Sequence, residues 1–197
     1  MQLQRLVAAA VDFRLESAGL VLRRLTRDDV AVALQHEQDR EIMRWIRDPE
    51  PLAAMQDRIQ AMLGAWTGAD SEWLVLAVAP RDVAAMAGIV TCRVTSAANE
   101  AMEIGYRLHP SVQRRGHAFD ACSLLIDHLF RAIGLHKVIA HCVADNEASW
   151  RLMEKLGMRR EAHFRDHTRL GGEWRDAYFY GVLADEWRLT DRARART

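Results

Sequence analysis

The residues best placed to do chemistry lie in one stretch, Gln113-Arg114-Arg115-Gly116-His117-Ala118. An apolar, strand-like segment, Ala101 to His109, runs into it, and an amphipathic helical pattern, Ala118 to Ile133, runs out of it. A strand, a short basic turn and a helix make a place to hold phosphate. The first N–H groups of a helix have no partners within it, and the helix dipole adds partial positive charge there. Gly116 lets the backbone approach an anion closely, and Arg114 and Arg115 add charge. On these residues alone the turn reads either as an anion site or as a basic loop capping a helix.

The elements that must position this turn fit a single domain, since the chain has 197 residues. Half of them are hydrophobic and 27% are charged, an ordinary globular balance. The formal net charge of zero gives no reason to expect nucleic-acid or membrane binding. Cys92, Cys122 and Cys142 are odd in number, widely spaced and set in apolar runs, which suits reduced, buried thiols and a cytoplasmic protein. Leu6 to Val11 is too short and ends too soon, at Asp12, for a signal sequence. No run approaches the roughly 20 apolar residues of a membrane span.

Residues 1–18 read as an N-terminal extension, with Leu3, Leu6, Val7, Ala10 and Val11 at helical spacing. Strands are expected at Leu20–Leu25, Trp73–Val78, Met86–Val94, Ala101–His109, His136–Val143, Phe164–Leu170 and Trp174–Leu183. Helices are expected after Thr26-Arg27-Asp28-Asp29, from Leu52 to Trp66, from Ala118 to Ile133, from Asn146 to Gly157, and from Ala184 to Leu189. Gly171-Gly172-Glu173 makes the final hairpin turn, and 191–197 is a polar tail. Three consecutive antiparallel strands followed by a strand–helix–strand crossover imply a mixed α/β sheet.

At this point the residues resemble the GNAT superfamily, whose acyl-CoA pyrophosphate loop reads Gln/Arg-x-x-Gly-x-Gly/Ala. Glu103-Ile104-Gly105-Tyr106, Asn146-Glu147-Ala148-Ser149, Leu156-Gly157-Met158 and the closing Tyr178-Phe179-Tyr180 add the context of the Rim-type branch, similar to N-terminal acetyltransferases of ribosomal proteins. The resemblance covers Leu20 to Trp187. Met158 stands where the family has an aromatic, and Glu161-Ala162 where it has Glu-Gly. The fold implied for residues 19–190 is a mostly antiparallel sheet of six to seven strands, flanked by helices and splayed between the fourth and fifth.

The resemblance implies an N-acetyltransferase that moves acetyl from acetyl-CoA to a primary amine by direct transfer. Gln113, Arg114, Arg115, Gly116, His117 and Ala118 would hold the pyrophosphate. A bulge at Gly105 would free the N–H groups of Tyr106, Arg107 and Leu108 toward the thioester oxygen. Asn146 would bind the pantetheine amide, and Ser149 would protonate the departing thiolate. Glu103 is the candidate base, acting through water with a pKa raised by an apolar cleft; His109, His117 and Tyr106 are alternatives. Cys142 invites an acyl-cysteine scheme but lacks a local acid–base dyad, so direct transfer is preferred. His163 and His167 have no matching ligand set, so no metal is expected.

The acceptor amine, a protein N-terminus or a small molecule, should enter opposite CoA. Trp45, Arg47, Asp48 and Pro49 form one candidate wall and Arg169, Glu173 and Trp174 the other, with Asp48, Glu50 and Glu173 able to attract a cation. A core role fits Trp45 and Trp174 at least as well. The alternatives are a non-catalytic CoA-binding module, against which the presence of both Asn146 and Ser149 argues, and a larger donor such as succinyl-CoA with Arg107 near its acyl end; a homodimer is a further expectation. A different nucleotide-binding domain is disfavoured, because neither Gly-x-x-x-x-Gly-Lys-Ser/Thr nor Gly-x-Gly-x-x-Gly occurs.

Overall fold

The computed structural model describes residues 2–69 and 72–187. Its elements are α1 (Gln2–Ala9), β1 (Arg14–Glu16), β2 (Leu20–Arg24), a 3-10 turn (Arg27–Asp29), α2 (Val30–Gln38), α3 (Arg40–Met43), α4 (Leu52–Leu63), β3 (Leu74–Pro80), β4 (Gly88–Ser96), β5 (Ala101–Leu108), a 3-10 turn (Pro110–Val112), α5 (His117–His128), a π turn (Leu129–Ile133), β6 (Lys137–Val143), α6 (Glu147–Lys155), β7 (Arg159–Leu170) and β8 (Glu173–Leu183). Residues 184–187 are helical. The remainder of that expected helix and the tail at 191–197 lie outside the described residues.

One eight-stranded sheet runs β1-β2-β3-β4-β5-β6-β8-β7. Its pairs are antiparallel except β5 with β6, which the helix α5 joins by a crossover. The expected count of six to seven strands is exceeded by β1, which pairs with β2 from within the N-terminal stretch. That stretch is also part of the packing: Leu6, Ala10 and Phe13 are buried in the main core.

Alternation along the strands divides the apolar residues between two faces. Leu74, Leu76 and Val78 of β3 join a large core with α1, α5 and α6, whereas Val75 and Ala77 join a smaller one with α2 and α4. Burial on both faces is why β3 reads as an unbroken apolar run. On β5, Met102, Ile104 and Leu108 face the large core, which leaves Glu103, Gly105 and Arg107 on the face of α2 and α4. Cys122, Leu125, Leu129 and Ile133 fall on the buried side of α5 and its π turn, as their spacing predicts.

The expected splay is present, between β5 and β6. The two strands pair only from Ala101↔Lys137 to Glu103↔Ile139. Beyond that point β5 stays with β4 up to Leu108, while β6 stays with β8 up to Val143. The sheet therefore opens toward the ends of these strands, where α5 and α6 begin. A bulge at Gly105 does not form: the β4–β5 register is unbroken from Gly88↔Leu108 to Val94↔Met102. Glycine is needed there for another reason. A Cβ would lie 2.9 Å from Thr91 Oγ1 on the opposite strand, where the hydroxyl bonds the Gly105 carbonyl.

Candidate active site

The basic turn is built by backbone conformation. Gly116 is the N-cap of α5 with φ 89°, and a Cβ on it would meet nothing within 4 Å. Glycine is therefore required by the left-handed φ and not by crowding, and the space outside it is open. The Asp120 N–H bonds the Gly116 carbonyl at 3.0 Å, so the N–H groups of His117 and Ala118, before it, have no partner in the helix. Arg114 is exposed and forms no ion pair among the described residues. The Gln113 and Arg115 side chains are engaged within the protein, while His117 Nε2 is buried without a hydrogen-bond partner. Gln113 Nε2 donates to the Leu108 carbonyl at 2.9 Å, Arg115 pairs with Asp82, and buried His117 lies 3.8 Å from the same carboxylate. Backbone N–H groups and Arg114 are what this turn offers an anion.

The splay frees further donors. His109 N–H bonds the Ala87 carbonyl, which fixes the alternation of the antiparallel ladder. Tyr106 and Leu108 then turn their N–H and C=O groups away from β4, toward the opening. The Leu108 carbonyl is the one that Gln113 occupies; its N–H and that of Tyr106 face the gap.

Across the gap stands the start of α6. Asn146 caps it, its Oδ1 accepting the Ser149 N–H at 3.3 Å, which leaves the amide NH2 free to donate elsewhere. Ser149 Oγ lies 3.0 Å from the Tyr106 hydroxyl, which also donates to the Ser149 carbonyl at 2.9 Å. Burial raises the Tyr106 phenol well above its ordinary value, so the hydroxyl keeps its proton. Cys142 also touches Ser149, but burial pushes its thiol up to about 11, which makes it a poor nucleophile.

On the opposite face of the sheet the charged residues are paired. Glu103 Oε2 lies 2.7 Å from Arg93 Nη2, and Glu103 Oε1 lies 2.7 Å from His141 Nδ1. The raised pKa expected for Glu103 does not occur. Burial does push the carboxyl up, but hydrogen bonding and charge from His141 and Arg93 outweigh it and hold the carboxyl below its ordinary value. The guanidinium of Arg107 points to this face as well, pairing with Glu37 and lying 3.3 Å from Met43 Sδ. It is therefore not free for an acyl carboxylate. Glu37 also holds Arg58 at 3.1 Å and Arg47 at 3.6 Å.

A cavity of about 670 Å³ runs through the splay, with Cys142 and Ser149 in its wall on one side of the sheet and Arg47 and Trp73 on the other. Trp45 lines this cavity and a neighbouring one of about 600 Å³, with Arg44 4.5 Å over its ring. Asp48 accepts the Gly171 N–H at 2.6 Å, which ties the α3–α4 loop to the β7–β8 hairpin. Glu50 pairs with Arg58 and Glu173 with Arg175. Glu173 and Trp174 line neither cavity, and Trp174 is 60% exposed. His163 sits 2.6 Å from Asp176, and His167 packs on Phe164 and Phe179. Among the described residues no group of three metal-ligating side chains occurs.

Two participants escaped the sequence reading. Glu37 could have been flagged as an acid one turn after Ala33 on the buried side of α2. His141 becomes visible only once Glu103 is paired with Ile139, which sets the histidine two residues further along the neighbouring strand.

The open helix start, the splayed parallel pair and the serine–tyrosine couple meet at one gap in the sheet. Residues 19–159 match the family model described as "Acetyltransferase (GNAT) domain". The chain belongs to the GNAT family. Over 85 residues this GNAT enzyme is 40% identical to the uncharacterized N-acetyltransferase YnaD of Bacillus subtilis (strain 168), covering 43% of this chain and 50% of that protein. Over 84 residues it is 26% identical to the [ribosomal protein uS5]-alanine N-acetyltransferase of Escherichia coli (strain K12), covering 43% of each. The matched stretches thus span half or less of both relatives. The crystal structure of spermidine N-acetyltransferase from Vibrio cholerae, solved with CoA and spermine, superposes with a TM-score of 0.74. That likeness covers 87% of this chain and 99% of the other at 20% identity, and is one of fold. Members of the family bind acetyl-CoA. No helix among the described residues is long and apolar enough to cross a membrane.

Proposed function

We propose that this GNAT enzyme transfers acetyl from acetyl-CoA directly to a primary amine, either a protein N-terminus or a small-molecule amine, within a ternary complex in the cytoplasm. The observation that carries the reading is the gap between β5 and β6, with unpaired N–H groups on one lip and the Ser149–Tyr106 hydroxyl pair on the other. The residues present fit the donor. The open N-terminus of α5 and Arg114 suit its pyrophosphate, while the Asn146 amide and the N–H groups of Tyr106 and Leu108 suit its amide-bearing arm. The domain assigned to this work is residues 19–190, with α1 and β1 of the N-terminal stretch packed into the same core and sheet.

An N–H aimed at the gap stabilises the oxygen that gains charge as the amine attacks. Ser149 Oγ–H gives its proton to the leaving sulfur, and the Tyr106 hydroxyl, turning its one proton from the Ser149 carbonyl to Ser149 Oγ, stabilises the serine oxygen. The new bond is nitrogen to acyl carbon and the broken bond is carbon to sulfur. One proton leaves the nitrogen and one reaches the thiol. The acceptor reaches the carbonyl from the face of α2 and α4, past Trp45 and the Asp48-tethered loop.

The test is thiol release from acetyl-CoA over a panel of free-N-terminal peptides, amino acids and polyamines, with acetylated products confirmed by mass spectrometry. Ser149→Ala should lower kcat by about 10²-fold, a typical general-acid contribution, while CoA still binds. CoA binding with no acetylated product from any amine would reject catalysis and leave a CoA-binding module.

A further inference from the structure

The groups around the splay are sorted by face. Tyr106, Cys142 and Ser149 meet on the side of α5 and α6. Glu103 and His141 meet on the other side, that of α2 and α4. A donor lying in the splay separates the two groups, so a proton released on the amine side cannot reach Ser149 without passing the thioester. A separate acceptor is needed where the amine arrives.

We propose that His141 is that acceptor, the general base of the reaction, and that Glu103 is its positioning residue. This rests on the acetyl-transfer reading above and departs from the sequence-based expectation, in which Glu103 itself took the proton. Three observations support it. First, Glu103 already carries two partners, Arg93 Nη2 at 2.7 Å and His141 Nδ1 at 2.7 Å, and is almost fully buried. Its lone pairs are engaged with cations and N–H donors, which makes it a weak proton acceptor. Second, a carboxylate can only accept, so in the neutral ring the histidine proton sits on Nδ1 and Nε2 is the nitrogen open to a proton. Third, the His141 side chain is 39% exposed, lines the 670 Å³ cavity, and is held flat on Phe179 with ring centroids 4.8 Å apart and planes 11° from parallel.

The same geometry appears wherever a buried carboxylate holds a histidine in one tautomer so that its other nitrogen can take a proton. Here the carboxylate is itself fixed by Arg93, whose guanidinium stacks 4.7 Å over Trp73 in the cavity wall. Among the described residues the charged and titratable groups facing His141 are Glu103 from β5 and, behind it, Arg93 from β4; β8 contributes the Phe179 ring, against which His167 of β7 packs edge-on. In the reaction, His141 Nε2 takes the proton the amine nitrogen sheds as the N–C bond forms. Ser149 gives one to sulfur as the C–S bond breaks, and once the thiol and amide have left the splay, water entering the cavity carries the proton from imidazolium back to serine. The products are an amide and a thiol, with no oxidant or metal required.

Two measurements test the proposal on the full chain. The first compares the pH dependence of kcat/KM for wild type, His141→Gln and Glu103→Gln, using acetyl-CoA and whichever peptide or amino acid of the panel turns over fastest. His141→Gln should lose about 10²-fold near neutral pH and lose the rising acid limb, with CoA affinity unchanged. Glu103→Gln places an amide NH2 where the carboxylate was, which favours the tautomer with its proton on Nε2, so the limb should flatten although His141 remains. A His141→Gln enzyme with the wild-type rate and profile overturns the assignment of the base while leaving acetyl transfer intact. A wild type that acetylates nothing overturns the underlying function as well. The second needs no acceptor: long-range ¹H–¹⁵N spectra of the histidine rings should show neutral His141 protonated on Nδ1 in wild type, shifting toward the other tautomer in Glu103→Gln. Neutral His141 protonated on Nε2 in the wild type overturns the proposal.

Discussion

Glu37→Gln would leave three arginines without the carboxylate they share. The Glu37 side chain is 1% exposed and that of Arg107 is 8% exposed, so their pair is shielded from water. Arg107 Nε already lacks a hydrogen-bond partner, and the removal would orphan its charge as well. Breaking one side of a buried pair costs about 3–5 kcal/mol. For a chain of this size each kcal/mol lowers Tm by about 2–4 °C, so the expected drop is roughly 6–20 °C. Glu50→Gln is the control, because its pair with Arg58 is far more open to solvent, at 35% and 26% exposed, and is worth about 0–1 kcal/mol. Removing both charges, as Glu37→Leu with Arg107→Leu, should recover much of the loss, since the cost lies in an uncompensated charge. Thermal unfolding followed by circular dichroism reads all three. A Glu37→Gln protein that melts with the Glu50→Gln control refutes the view that this network is a buried electrostatic support of the acceptor face.

The remaining predictions concern the thiols and acid stability. Cys142→Ala should keep most of the transfer rate, and the native protein should react slowly with iodoacetamide at neutral pH, because burial pushes Cys142 up to about 11 and Cys92 up to about 12. Loss of all transfer in Cys142→Ala would restore an acyl-cysteine scheme. Asp29 is pushed up by burial but held below its ordinary 3.8 by Arg23 and Thr26, and Glu103 is likewise depressed. A depressed folded-state value adds stability that is present above the unfolded value and lost as pH falls through the folded one. Denaturant midpoints should therefore fall as pH drops below about 4, and Asp29→Asn should be weaker at pH 7 with a shallower acid slope. An unchanged slope would show that Asp29 does not carry this linkage.

The parts of the site written locally were legible in the sequence. Arg114, Gly116 and the start of α5 follow one another along the chain, as do Asn146 and Ser149, so spacing alone groups them. The splay followed from the family resemblance, and the pairing limit at Glu103↔Ile139 shows where it begins. What spacing could not show was partnership across elements. Asp48 meets Gly171, Glu37 meets Arg107, and His141 meets Glu103 only after the sheet has set its register. Gly105 was legible as a special glycine but misassigned, because a bulge and a close cross-strand hydroxyl leave the same mark in a single sequence. The short β1 carries too few residues to show a period, yet it lengthens the sheet.

The central claim is that the turn at Gly116 and the gap beside it hold acetyl-CoA for transfer to an amine. Its most direct measurement is mass spectrometry of amines and peptides incubated with acetyl-CoA and either wild type or Gly116→Glu. The substitution puts a strained, negatively charged side chain at φ 89°, in the open space where phosphate would lie. The account predicts acetylated amine from wild type and little or none from Gly116→Glu, with CoA affinity lost in step. Acetylation undiminished in Gly116→Glu would contradict it.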